Sequence, residues 1–192
     1  MRWSTEGGKL LIKNLIYTIF FPGNVAVLVP SWLLARNANT MPHHWGFLQY
    51  LALLSTSAGI VIYFQCVRDF AIAGRGTPSP FDPPLNLVVR GLYRFVRNPL
   101  YLAVLMMLLG ETAFFESWSL LRYTTGYIVT VHLIVVLYEE PKLRRTFGAS
   151  YDHYRQCVRR WLPGKNLPEE HRGIESHLLT ADGNAGNRGQ CS

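Results

Sequence analysis

Three groups of residues in this chain could do chemistry. Arg97-Asn98-Pro99-Leu100-Tyr101 sets an arginine beside a helix start. Asn98 suits the N-cap position and Pro99 the first helical one. The free N–H groups of such a start, at the positive end of the helix dipole, suit an anionic group, and Arg97 would reinforce that. The same residues also read as a capped helix with an arginine at the membrane surface. Glu139-Glu140-Pro141 is the second group. Two carboxylates closing an apolar helix are expensive unless they face a polar cavity, a cation or water. Pairing with nearby arginines is the plainer alternative. The third is His132, expected to be buried because it lies within a run of apolar residues. It reads either as a functional ionisable group or as a histidine bonded to a neighbouring helix. Glu111 falls near the far interface and is given no catalytic role.

The elements that must position these groups follow from the apolar blocks. The chain has 192 residues, 49% hydrophobic and 16% charged, which points to one membrane domain with a tail. Leu15 to Ala35 carries no charge, with a bend expected at Pro22-Gly23, and Trp45 to Val67 is 23 residues without a formal charge. Leu100 to Phe115 and Ser119 to Tyr138 are shorter, with Glu111, Glu116 and Arg122 at the turn between them, and read as a helical hairpin. The first block is far longer than the apolar part of a secretory signal and reads as a retained helix. Pro141 is expected to open a basic helix stopped by Gly148, and Ser150 to cap another from Tyr151 to Trp161. In the latter, Tyr151, Tyr154 and Val158 share one face, as a helix covering the end of the bundle would need. The fold class is therefore all-α: a polytopic membrane bundle of about four transmembrane helices with cytoplasmic C-terminal amphipathic helices.

Charge fixes the expected orientation. Seventeen of the 19 lysines and arginines fall in the N-terminus, the loop from Arg68 to Arg97 and the segment after Tyr138, against Arg36 and Arg122 on the other side. Both termini are thus expected in the cytoplasm. The formal net charge of +7 follows from this topology and from attraction to anionic headgroups, with no need for nucleic acid. Three cysteines, Cys66, Cys157 and Cys191, are too few and too scattered for a disulfide framework or a metal centre. The loop Gly74 to Pro84 has two glycines that allow close backbone approach and four prolines that stiffen it. It reads equally as a rigid linker. Residues 1–165 are expected to form the membrane domain and the polar residues 166–192 a disordered tail.

Taken in order, the motifs are more specific than any one of them. Gly74-x-Gly-Thr-Pro-x-Pro-Phe-Asp-Pro-Pro84, Val89-Arg90-Gly91-Leu92-Tyr93-Arg94-Phe95-Val96-Arg97-Asn98-Pro99-Leu100-Tyr101, Glu139-Glu140-Pro141-x-Leu143, Phe147-Gly148, Tyr151-x-x-Tyr154 and Arg160-Trp161-x-Pro163 stand in one series. The series resembles the isoprenylcysteine carboxyl methyltransferase-like and phospholipid methyltransferase superfamily over about residues 74–163. The resemblance implies an integral-membrane enzyme that binds S-adenosylmethionine without a Rossmann domain. Carried onto this sequence, it implies cofactor contacts from Arg97, Asn98, Pro99, Tyr101, Leu102, Glu139 and Glu140, with Tyr151 and Tyr154 as a lid. His132 falls where family members often place a histidine facing the cofactor, so His132 and Glu139 are the implied catalytic residues. Two positions depart from the pattern: Asn98 stands where histidine is commoner, and Ala103 where glycine is commoner. Asparagine keeps the cap but cannot exchange a proton at physiological pH, so position 98 should bind only.

Methyl transfer from a sulfonium disperses charge in an in-line displacement, so alignment in a dry pocket matters more than a strong base. The implied acceptor is lipid-like or prenyl-like and enters from the bilayer; no obligate protein partner is implied. Two other readings stand beside this one: an NADPH-dependent membrane reductase of the steroid or sterol reductase type, and a non-catalytic membrane scaffold.

Overall fold

The apolar segments are helices wherever they are described. The computed structural model describes residues 23–36, 45–73 and 89–163. The chain up to Pro22, the Gly74 to Pro84 loop and the tail after Pro163 lie outside the described residues, and so do the readings that fall on them. In order come α1 (Asn24–Arg36), α2 (Phe47–Ala73), a 3-10 turn (Gly91–Arg94), α3 (Pro99–Phe115), α4 (Trp118–Phe147) and α5 (Ala149–Cys157). No strand occurs among the described residues; one isolated parallel bridge joins Val96 to Arg159.

Phe47–Asp69 of α2 and the whole of α4 are long and apolar enough to cross a membrane, while α1 and α3 are shorter apolar helices. Their outward faces are apolar: Phe47, Leu54 and Phe64 on α2, and Val129 and Leu137 on α4, are exposed. In water such a surface would aggregate, whereas against lipid chains it costs nothing. The helices are held together by close backbone packing and polar links. A Cβ on Gly59 would lie 2.7 Å from the Ala103 carbonyl, and one on Gly110 would lie 2.7 Å from that of Ala52. Small residues thus let α2 and α3 approach backbone to backbone. At Ala103, where the resemblance led one to expect glycine, the facing glycine comes from α2. The Ser55 hydroxyl donates to the Met106 carbonyl at 3.0 Å, and the Thr112 and Thr124 hydroxyls pair at 3.0 Å between α3 and α4.

The expected hairpin is present. Pro99 opens α3, and α4 follows at Trp118. Glu116 ends α3 in the left-handed region, φ 48°, and its carboxylate accepts from Gln49 at 2.7 Å. Gln49 also accepts from the Gly46 N–H at 2.8 Å, so one side chain fixes the start of α2 and ties it to the hairpin tip.

Among the described residues two helices carry a π turn, and each turn ends two residues ahead of a proline. Asn24–Leu28 precedes Pro30, and Val135–Glu139 precedes Pro141. A proline inside a helix lacks one N–H and collides with the carbonyl four residues back. That carbonyl is Ala26 in one case and Leu137 in the other, both inside the widened turns. Widening lets the helix continue. The Tyr123 hydroxyl donates to the Val25 carbonyl in the first of these turns at 2.9 Å.

This corrects two sequence readings. Pro141 does not open a separate helix: α4 runs through it to Phe147, with the Glu140 N–H bonded to the Val135 carbonyl. The last helix spans Ala149–Cys157 from a Gly148 cap rather than Tyr151 to Trp161 from Ser150. It stops early because Val158 turns extended and Arg159 pairs with Val96. The shared face is there all the same: Tyr151, Tyr154 and Val158 are buried in one cluster with Cys157.

Candidate functional site

Backbone geometry brings three distant segments to the start of α3. Gly91, at φ 58°, begins the 3-10 turn where a Cβ would sit 1.9 Å from the buried Asp69 carboxylate, so only glycine fits. The chain then passes Val96, and the Arg97 N–H donates to the Arg159 carbonyl at 3.0 Å. Tyr154 locks the same turn from α5 by donating to the Tyr93 carbonyl at 2.6 Å. Asn98 stands at the N-cap position of α3, but its side chain makes no cap bond. It donates instead to the Arg160 carbonyl at 3.3 Å. The asparagine thus holds the segment after α5 rather than the helix it precedes.

The result is a charged cluster around one carboxylate. Arg160 grips Glu140 with two parallel bonds, Nε to Oε1 at 2.6 Å and Nη2 to Oε2 at 2.9 Å. Arg97 reaches the same Oε1 at 3.1 Å, and its Nη1 also meets the Tyr151 hydroxyl at 3.5 Å. The Arg97 and Glu140 side chains are 10% and 11% exposed, so this is a nearly dry pair, completed by a more accessible Arg160. Forked arginine–carboxylate bonds of this kind are directional as well as strong. Two guanidiniums on one carboxylate leave the cluster with a positive excess, and the Arg97 Nε is buried with no acceptor. A buried donor of a charged group without a partner is costly, and an anionic ligand would satisfy it.

Glu139 points elsewhere and accepts from the Tyr101 hydroxyl. Tyr127 donates to the Tyr101 carbonyl at 3.1 Å, fixing the first turns of α3 against α4. Pro99 is buried there and Leu102 half-buried. Above them Tyr151 and Tyr154 pack ring to ring, centroids 6.3 Å apart. Burial raises the pKa of both phenols, opposed by the Arg97 charge, so both stay protonated donors at physiological pH. Arg160 is held more firmly cationic by its bonds to Glu140.

Arg97, Asn98, Glu140 and Tyr151 are thus brought together, with the Tyr101–Glu139 pair and Tyr154 beside them. His132 is not among them. It lies on α4 about 10 Å of helix rise before Glu139, and its side chain is exposed, not buried as its apolar neighbours led one to expect. Its surroundings are apolar in sequence, but α4 turns this face outward, with Leu133 and Ile134 also exposed. Trp161 covers it: the indole N–H donates to His132 Nδ1 at 3.2 Å. Indole nitrogen only donates, so Nδ1 is the acceptor and the neutral ring carries its proton on Nε2.

Two participants escaped the sequence reading as individual residues. Arg160 and Trp161 were visible only as part of a motif. One signal could have found Arg160: a carboxylate pair at the end of an apolar helix needs cations, and Arg97 alone leaves it short. Among the described residues no three His, Cys, Asp or Glu side chains gather as a metal centre would require.

Comparison with known proteins bears directly on these elements. The profile of a family described as phospholipid methyltransferase matches residues 47–150, which run from the start of α2 into α5. Methanethiol S-methyltransferase 1 of Bradyrhizobium diazoefficiens is 28% identical over 122 residues, covering 58% of this chain and 38% of that protein. The chain therefore aligns with well under two thirds of that relative's length. No solved structure matches.

Proposed function

The chain belongs to the phospholipid methyltransferase family, and on that premise we propose that it transfers a methyl group from S-adenosylmethionine to a lipophilic acceptor in the membrane. The observation that carries this reading is the buried, unpartnered Nε of Arg97 within a cluster of two guanidiniums and one carboxylate. That donor suits the carboxylate of an amino-acid-bearing cofactor. Glu139, held in one orientation by Tyr101, suits the hydroxyls or the ammonium of the same molecule. Asn98 positions the Arg160 segment and exchanges no proton, Pro99 and Leu102 give an apolar wall, and Tyr151 and Tyr154 close the site. When bound, S-adenosylmethionine supplies a methyl group on a positively charged sulfur, open to attack by the acceptor's lone pair.

His132 presents Nε2–H while Trp161 occupies Nδ1, so it acts as a donor that orients the acceptor rather than as a base. In this reading all of α1 to α4 cross the bilayer and both termini lie in the cytoplasm, as the lysine and arginine distribution supports. The catalytic half comprises about residues 74–163, and residues 166–192 form a tail dispensable for binding. The relative named above methylates a thiol by its name, which places thiol sulfur beside oxygen and nitrogen acceptors on an apolar body. Family membership sets the reductase reading aside.

Membranes containing the protein, incubated with methyl-labelled S-adenosylmethionine and extracted into organic solvent, should yield a labelled product that identifies the acceptor. Label in no extractable or volatile product would defeat the proposal. His132→Ala should lower kcat about tenfold, the worth of one hydrogen bond, with cofactor Kd unchanged. No change in kcat would return His132 to a surface role.

A further inference from the structure

Beyond the Arg97–Glu140–Arg160 cluster, the end of α4 and the outer face of α5 enclose a cleft of about 470 Å³ lined by Val136, Glu140, Pro141, Arg144, Arg145 and Arg155. Its charges do not cancel. Glu140, the one carboxylate in the lining, is engaged by Arg97 and Arg160, which approach from the other segments. Arg144 is taken up by Asp152, at 3.2 Å. Among the described residues Arg145 and Arg155 have no ion-pair or hydrogen-bond partner. Two cations from different helices therefore line one concave space with no counter-ion of their own among the described residues, an arrangement that a bound anion would relieve.

The rest of the cleft says what kind of anion. Val136 and Pro141 make an apolar wall beside exposed Leu137, while Arg144 and Arg145 sit about 12–14 Å of helix rise beyond Val136 and Arg155 faces them from α5. Tyr138 lies at the boundary with the Lys142 ammonium 5.5 Å from its ring centre, the aromatic and cationic pairing found at headgroup level. Apolar below and cationic above is the shape of an amphiphile with a phosphate at its head. The geometry points to a fixed binding site for the phosphate of one anionic bilayer lipid, held by Arg145 and Arg155 and separate from the methyl acceptor. The lipid serves as a structural ligand that neutralises the outer side of the Glu140 clamp. The inference does not depend on the methyl-transfer reading, because its readout is lipid retention.

The full-length protein in phosphatidylcholine vesicles, doped with spin-labelled phosphatidylglycerol or spin-labelled phosphatidylcholine, tests it. The protein should immobilise the phosphatidylglycerol about fivefold or more over the neutral lipid. Arg145→Gln with Arg155→Gln should abolish that preference. Arg36→Gln with Arg122→Gln, which removes the same charge elsewhere, should preserve it. Unchanged preference in the first double variant overturns the site, and so does equal loss in the second, which would mean bulk attraction only. Inorganic phosphate that releases the lipid at millimolar concentration would make this a free-anion site and overturn the lipid assignment. A labelled methyl group on the retained lipid would make it the acceptor and overturn the separate role. Should the first variant fail to fold, Arg145→Lys with Arg155→Lys keeps the charge and should keep the preference at reduced strength; complete loss there would likewise overturn the site.

Discussion

The two ends of α3 are tied down by the same kind of device and to opposite effect. At its last turn one amide, Gln49, links the α2 start to Glu116, and both its polar ends are used. At its first turn, Arg97 links to Glu140 within α4 and Asn98 to the segment after α5, and the tie leaves a charged donor buried and unused. The Gln49 link at the far end is a closed joint, although one oxygen of Glu111, a turn before it, is buried without a donor. The near end is an incomplete one, and incompleteness in a nearly dry charge cluster is what a ligand can exploit. Polar links between membrane helices therefore cannot be sorted into structural and functional by residue type; what sets the near end apart is an unsatisfied donor on a charged group inside an ion cluster.

The sharpest way to break this contrast is Glu140→Gln. It removes the charge that compensates two guanidiniums, one of them almost wholly buried, and should destabilise the protein by about 3–5 kcal/mol in detergent unfolding. Cofactor binding should fall with it. Next comes Arg97→Ala, which removes the orphaned donor. Calorimetry should show S-adenosylmethionine affinity reduced about ten- to a hundredfold, from loss of roughly 1.5–3 kcal/mol, with the helices still inserted. Undiminished affinity would mean that the unused donor serves no ligand. Tyr101→Phe frees Glu139 without disturbing the Glu140 clamp, so affinity should drop by about fivefold, near 1 kcal/mol. Gln49→Ala is the control at the other end. It should lower stability by about 0.5–1.5 kcal/mol and leave cofactor affinity untouched. A change in affinity there would show that the two ends are coupled through α3.

How much of this was legible in the sequence depended on range. Helix starts and apolar blocks are local, so Pro99 at the head of α3 and the hairpin at Glu116 could be read from neighbours alone. The Tyr151, Tyr154 and Val158 face was readable for the same reason. Asn98 looked like a cap because local rules offer it no other partner; its actual acceptor is 62 residues away. Pro141 looked like a helix start because the widened turn ahead of it leaves no mark in residue type. His132 was misplaced because an apolar run does not say which side of a membrane helix faces lipid, and both sides can be apolar when the outer solvent is oil.

The π turn at Val135–Glu139 has a consequence for the spacing of the whole chain. A widened turn amounts to one residue more than the α-helix needs, and each residue of an α-helix advances the side chains by about 100°. Everything after the turn is therefore dialled about a quarter to a third of a revolution away from the phase set by the membrane-crossing part. Glu139 meets Tyr101 and Glu140 meets the arginines because of that offset. Removing Leu137 would take out that extra residue and let a regular α turn carry both carboxylates round in nearly the same phase, whereas adding a second residue would swing them off their partners. The widened turn thus absorbs the loss of one residue but not the gain of another, and an insertion here, more than any exchange of side chains, would change which cluster the carboxylates serve.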